Sequence, residues 1–263
     1  MRRLIGSLAG AALALFLVTP VLAADSVGSA RDVDPQAEAA LSGATRTLVV
    51  GADVFMGDKI TTGEKGIVQI LFADNTKLVV GPKSALTIDE YLLRNDNTAT
   101  KVAIDLLGGS FRFITGDSPK SAYEVNTPTG TIGVRGTKYD VYVDWKTQIA
   151  YAIVYQGQVI LREDGGDTDL LTGLCHIGII DTEETDLLGD SNEIFGEKRE
   201  ELKGWFRFSL DQSPLLNEFR VANASSCTRR PPVADTPESL VTGAGGCPDG
   251  QSPNTDGECR PND

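Results

Sequence analysis

Short apolar runs, broken by glycine every few residues, set the texture of the chain between Arg46 and Leu161. Val68, Ile70 and Phe72 alternate with Ile67, Gln69 and Leu71, a period of two that predicts a strand apolar on both faces apart from Gln69. The same period returns at Leu78 and Val80, at Leu86 and Ile88, at Val102, Ile104 and Leu106, and at Phe111 and Phe113. Gly81-Pro82, Asn95-Asp96-Asn97 and Gly108-Gly109 punctuate it. Ile132 and Val134 alternate with Thr131, Gly133 and Arg135, and beyond Gly136 the pattern resumes at Tyr139, Val141 and Val143. Tyr151, Ile153 and Tyr155, then Val159 and Leu161, close the series. Strands of this length, recurring roughly every eight to twelve residues, predict an all-β unit. With glycine at so many corners, the expected form is an irregular β-solenoid or β-roll over residues 46–161.

The flanks read differently. Residues 24–45 hold no sustained period and are expected to be a flexible leader, with at most a helical turn from Pro35 to Leu41. Residues 162–226 form a mixed C-terminal extension, predicted as a short strand between Leu171 and Ile180 followed by two helices. The first helix is expected over Glu197–Phe206. The second is expected over Ser213–Phe219, where Ser213 stands as N-cap and Pro214 takes the first helical position. The tail, residues 227–263, is rich in Pro, Gly, Asp and Asn and is expected to be disordered or held in a small disulfide loop.

Charge and the first residues change the picture next. Arg2 and Arg3, the apolar run Leu4–Val18 and the small-residue site Val21-Leu22-Ala23 make residues 1–23 a secretory signal peptide. No later stretch approaches the roughly 20 apolar residues of a membrane span, so the cleaved chain is expected not to cross a membrane. Losing Arg2 and Arg3 takes the net charge from −13 to −15. An acidic body of this kind argues against nucleic acid as a partner. An exported chain with Cys175, Cys227, Cys247 and Cys259 predicts two disulfides; of the three pairings, Cys175–Cys227 and Cys247–Cys259 are favoured.

Candidate chemistry is sparse. His176, the single histidine, sits in an apolar run without a serine elbow and reads as a packed or surface residue. Asp164-Gly165-Gly166-Asp167-Thr168-Asp169 is similar to a calcium loop but lacks the twelve-residue hand pattern. Neither a zinc spacing nor a phosphate-cradling loop is found, so no metal, cofactor or catalytic residue is expected. Asp58 and Asp74 stand at turns, where a carboxylate caps local N–H groups. Arg135, between Val134 and Gly136, is expected to be buried and to satisfy turn carbonyls or an acid; anion or partner binding is its competing role.

The turn segment Thr127-Pro128-Thr129-Gly130, followed by Val134-Arg135-Gly136-Thr137, also carries a likeness. Two further motifs accompany it: Gly57-Asp58 with Ile60-Thr61-Thr62-Gly63, and Phe72-Ala73-Asp74-Asn75-Thr76 with Gly81-Pro82. Together they make residues 46–161 resemble the FecR domain, an extracytoplasmic module of bacterial ferric-citrate signalling regulators. Thr127, Pro128, Gly130, Arg135, Gly136 and Thr137 would be its structural turn motif. The resemblance implies a β-rich module outside the inner membrane of a Gram-negative bacterium, periplasmic or secreted. The anti-sigma segment of the signalling type is not found ahead of the module. The expectation is therefore a non-enzymatic binding or scaffolding module whose partner is an envelope protein or glycan. An accessory of iron-uptake-type signalling through a receptor is the alternative, and a carbohydrate-active enzyme using paired carboxylates is a third reading.

Overall fold

A computed structural model describes residues 25–194, 197–228, 251–253 and 259–261. The proposed signal peptide and Cys247 lie outside the described residues. Seventeen strands build the body. The first eight are β1 (Ser26–Asp34), β2 (Ala37–Leu41), β3 (Ala44–Leu48), β4 (Asp53–Phe55), β5 (Lys59–Thr62), β6 (Ile67–Phe72), β7 (Lys77–Val80) and β8 (Ala85–Leu93). The sixteen-residue β9 (Ala99–Ile114) follows, then β10 (Tyr123–Thr127), β11 (Gly130–Val134), β12 (Lys138–Val143) and β13 (Ala150–Gln156). The last four are β14 (Gln158–Glu163), β15 (Thr168–Thr172), β16 (His176–Ile180) and β17 (Thr185–Asp190).

These strands form two layers joined through β9. One layer runs β4-β1-β6-β7-β9-β12-β13-β16-β17. The other runs β3-β2-β5-β8-β9-β10-β11-β14-β15. The first half of β9 pairs with β8 and β10, and the second half with β7 and β12. Gly109, at φ +105°, makes the bend between the halves, and a Cβ there would collide with the Ser84 side chain. Every pairing is antiparallel except β9–β10. Stacked solenoid coils would pair in parallel, so the glycine corners here mark transfers between two antiparallel layers.

The apolar alternation seen in the sequence supplies the interior. Val68, Ile70, Phe72, Leu86, Ile88, Ile104, Ile132, Val134, Tyr139, Val141 and Leu161 are buried in one cluster between the layers. Phe72 stacks on Tyr91 across it, with ring centroids 5.1 Å apart. The flexible-leader expectation for residues 24–45 is corrected from Ser26 onward. β1 pairs with β6 from Gly28↔Phe72 to Asp34↔Ile67, and β2 pairs with β3 and β5. Ala30, Ala37 and Ala39 are buried by these pairings although the segment shows no apolar period of its own. The β body therefore begins at Ser26, not Arg46, and runs past Leu161 through β15, β16 and β17 where one short strand was expected.

The outer face of the first layer is covered by the end of the chain, and this layer is called the strapped layer below. Helices α1 (Glu197–Trp205) and α2 (Arg207–Leu210) and the segment to Cys227 lie against it. Ile67, Leu71 and Val79 meet Phe208, Leu215 and Phe219, while Tyr151 stacks on Trp205 at 4.1 Å. Gln69 ties the strap down: its Oε1 accepts the Leu216 N–H at 2.9 Å and its Nε2 donates to the Pro214 carbonyl at 3.2 Å. Ser213–Phe219 is not the predicted helix. Asp211 accepts from both the backbone N–H and the hydroxyl of Ser213, and only Asn217–Phe219 makes a 3₁₀ turn. The tail contributes an antiparallel pair, Gln251–Pro253 with Cys259–Pro261.

Under the strap lies a buried ion pair. Arg112 and Asp140 face each other directly across β9 and β12, and the guanidinium bonds both carboxylate oxygens at 2.7 and 2.9 Å. Tyr155 donates to Asp140 at 2.8 Å, and Arg112 donates to Gln212 of the strap at 2.6 Å. Burial alone would depress the guanidinium's affinity for its proton, but Asp140 more than offsets it and keeps the charge in place. Cys175 and Cys227 are joined as expected and pin the far end of the strap to the β15–β16 corner.

Two outcomes follow. Asp140→Ala leaves the guanidinium buried and unpaired and should cost about 3–5 kcal/mol in urea unfolding, whereas the double change Arg112→Met with Asp140→Leu should recover most of that loss. Reducing the Cys175–Cys227 bond, which spans 52 residues of sequence, should lower unfolding stability by up to about 4 kcal/mol through chain entropy.

Candidate binding groove

With one outer face strapped, the other face carries no cover among the described residues. β10, β11 and β14 lie side by side in the second, open layer, in register Glu124↔Gly133 and Gly133↔Ile160. Alternation sends Val125, Ile132, Val134, Val159 and Leu161 inward. It sends Thr131, Gly133 and Arg135 of one row, and Ile160 and Arg162 of the next, outward. Gly133 carries no side chain, and the result is a cavity of about 540 Å³ floored by Gly133 and Ile160. Lys120, Arg135 and Arg162 line it as cations and Glu124 as the one acid. Among the described residues, none of the three cations has a carboxylate within 4 Å.

Arg135 is exposed, which corrects the expectation of burial. Its apolar neighbour Val134 points to the opposite face, so sequence adjacency misled where alternation did not. The most deeply buried arginine among the described residues is Arg112, flanked by Phe111 and Phe113 on a face that the strap covers from a hundred residues away in sequence. The rest of the turn motif is anchored locally. Thr127 Oγ1 donates to the Gly130 carbonyl at 2.9 Å, and Pro128 lies within that turn. Thr137 Oγ1 donates to the Gln158 carbonyl at 2.7 Å, and its N–H reaches Thr115 Oγ1 at 2.9 Å. Gly136 sits at φ +68°, with the Lys120 amine folded beside it.

Other candidates are closed or engaged. Asp58 accepts the Phe55 N–H at 2.8 Å and pairs with Arg46, whose Nη1 lies 2.7 Å from its Oδ1. Asp74 is buried among hydroxyls: Ser118 donates to it at 2.6 Å, Tyr123 at 2.7 Å and Thr76 at 3.0 Å, and Tyr91 donates to its other oxygen. Burial pushes this carboxyl up, but the hydrogen bonds from Ser118, Tyr91 and Tyr123 outweigh it, so it titrates below the usual carboxylate range. Asp167 and Asp169, in the calcium-like segment, accept from Thr185 at 3.0 and 2.9 Å and so tie the loop to β17. His176 opens β16 opposite Asp190. Among the described residues no cluster of metal ligands is present, and no helix is long and apolar enough to cross a membrane.

Among the described residues this geometry defines an antiparallel two-layer β protein with one face sealed by its own chain and one face open. Within it the chain carries a FecR domain: residues 58–160 match the family model described as FecR protein. No curated protein matches the chain. Among solved structures, two crystal structures of a chain provisionally described as an anti-sigma factor from Parabacteroides distasonis ATCC 8503 are similar to it. Identity is 13% and 14%, TM-scores are 0.41 and 0.40, and the likeness covers 50% of this chain and 59% of those.

The hydroxyl cage gives a pH outcome. A carboxyl held below its unfolded value stabilises the fold above that value and loses the contribution as pH falls through the folded one. Wild-type stability should therefore drop below about pH 4, and Asp74→Asn should be less stable at pH 7 and show a shallower drop, read from urea midpoints against pH.

Proposed function

We propose that this chain is a non-enzymatic exported binding module of the bacterial envelope, periplasmic or secreted, that presents its open layer to a protein or glycan. The observation that carries this reading is the asymmetry of the two faces. Residues 197–228 cover the strapped layer, and no described residue covers the groove of the open layer. The FecR domain supports an envelope setting. The Cys175–Cys227 bond supports an oxidising compartment, where such bonds persist. Paired-carboxylate hydrolysis would require two acids facing one cavity, and the groove supplies Glu124 alone. A second reading, an accessory of envelope signalling through a receptor, is favoured by the FecR domain itself; it would use the same open face to meet that receptor.

The test places a photo-reactive residue at Thr131, in the groove, or at Glu218, on the strap, and irradiates each protein in envelope extract. Adducts are expected from position 131 and not from 218, and Gly133→Leu should abolish them. Equal labelling at both positions, or no adduct at 131, would overturn the reading.

A further inference from the structure

The charges of the groove are spaced, and the spacing selects a ligand. Thr131 pairs with Arg162 and Gly133 with Ile160, so Arg135 and Arg162 stand at opposite ends of the floor, four residues apart along the strands. Four strand rises separate them by about 13 Å. The Lys120 amine lies beside Gly136, which puts two cations at the Arg135 end and one at the other. Glu124 pairs with Gly133 and therefore faces the middle. The order along the groove is positive, then negative over an apolar floor, then positive.

We infer that the groove binds an extended acidic peptide segment of a partner protein, with carboxylates at positions i and i+4 and an uncharged residue between them at i+2. This rests on the open-layer reading and names the partner's chemistry. An extended peptide repeats its same-face side chains every two residues, so its i and i+4 carboxylates span the same four rises as Arg135 and Arg162. Both arginines offer planar forks that match a carboxylate. The i+2 side chain then lies over Gly133 and Ile160. Glu124 opposes any ligand charged negatively along its whole length, and this disfavours a polyuronate or another polyanion. The floor also lacks an exposed aromatic plane for a sugar ring, because Tyr123 is buried with its hydroxyl on Asp74.

Three labelled peptides test this by fluorescence anisotropy on the full chain: Glu-Thr-Val-Thr-Glu, Thr-Glu-Val-Glu-Thr and Glu-Thr-Glu-Thr-Glu, all with blocked ends. The first is expected to bind at least fivefold tighter than either of the others, and to weaken as salt is raised. Arg135→Glu and Arg162→Glu should each weaken it tenfold or more. Gly133→Leu should do the same while unfolding like wild type, since a Cβ there meets only Ile160, at 3.7 Å. Glu124→Gln should restore binding of the triply acidic peptide. If the triply acidic peptide binds wild type most tightly, or the arginine variants bind normally, the inference fails. Preferential binding of an oligogalacturonate would also overturn it in favour of an anionic glycan. If no peptide binds while the adducts at position 131 persist, the peptide assignment falls and the open-layer reading stands.

Discussion

The shared strand β9 is the constraint on which the rest depends. Its first half belongs to the open layer and its second to the strapped layer, so the two sheets are one hydrogen-bonded object turned through Gly109. The apolar side chains of both sheets then face one interior. The residues that project the other way, among them Arg112 and Asp105, are sent to opposite outer surfaces. The bend thus decides which side chains form core, which lie under the strap and which meet solvent.

The two outer faces then diverge for different physical reasons. The strapped face carries Ile67, Leu71, Val79, Tyr151 and Ile153, whose apolar area is stabilised by cover. It also carries Gln69 and Arg112, for which Leu216, Pro214 and Gln212 of the strap supply partners, and Asp140, which is satisfied by Arg112 and Tyr155. The open face carries threonines, a glycine and the exposed side chains of Arg135 and Arg162. Cover on that side would have to bring its own charges.

Much of this was legible from residues alone. Alternation placed the strands from Ile67 to Leu161 and their inward faces, and Cys175–Cys227 was the favoured one of the three pairings that four cysteines allow. Burial of Ile67 and Leu71 as well as Val68 and Ile70 was also readable, though not what would cover them. Residues 26–45 were missed because most of their buried positions are alanines, too small to give a strong period, and they become strands by pairing with β6 and β5. Ser213–Phe219 carried good helix-start chemistry, yet the bond from the Leu216 N–H to Gln69, 147 residues earlier, holds an extended path instead. The groove was half legible. Arg135 was singled out, but its orientation and its relation to Lys120 and Arg162 depend on strand register, which no local pattern encodes.

The FecR match and the body it sits in have different limits. The matched residues end at 160, yet β6 completes its pairing with β1, and β13 with β16, both outside that span. The cover over Arg112 arrives later still, with Gln212. What matches the family model is thus a segment, whereas the packed body draws on a longer length of chain on both sides of it. During synthesis, the ion pair and the apolar surface around it stay wetted until Gln212 and the segment around it emerge, so a chaperone or the growing chain itself has something to shield.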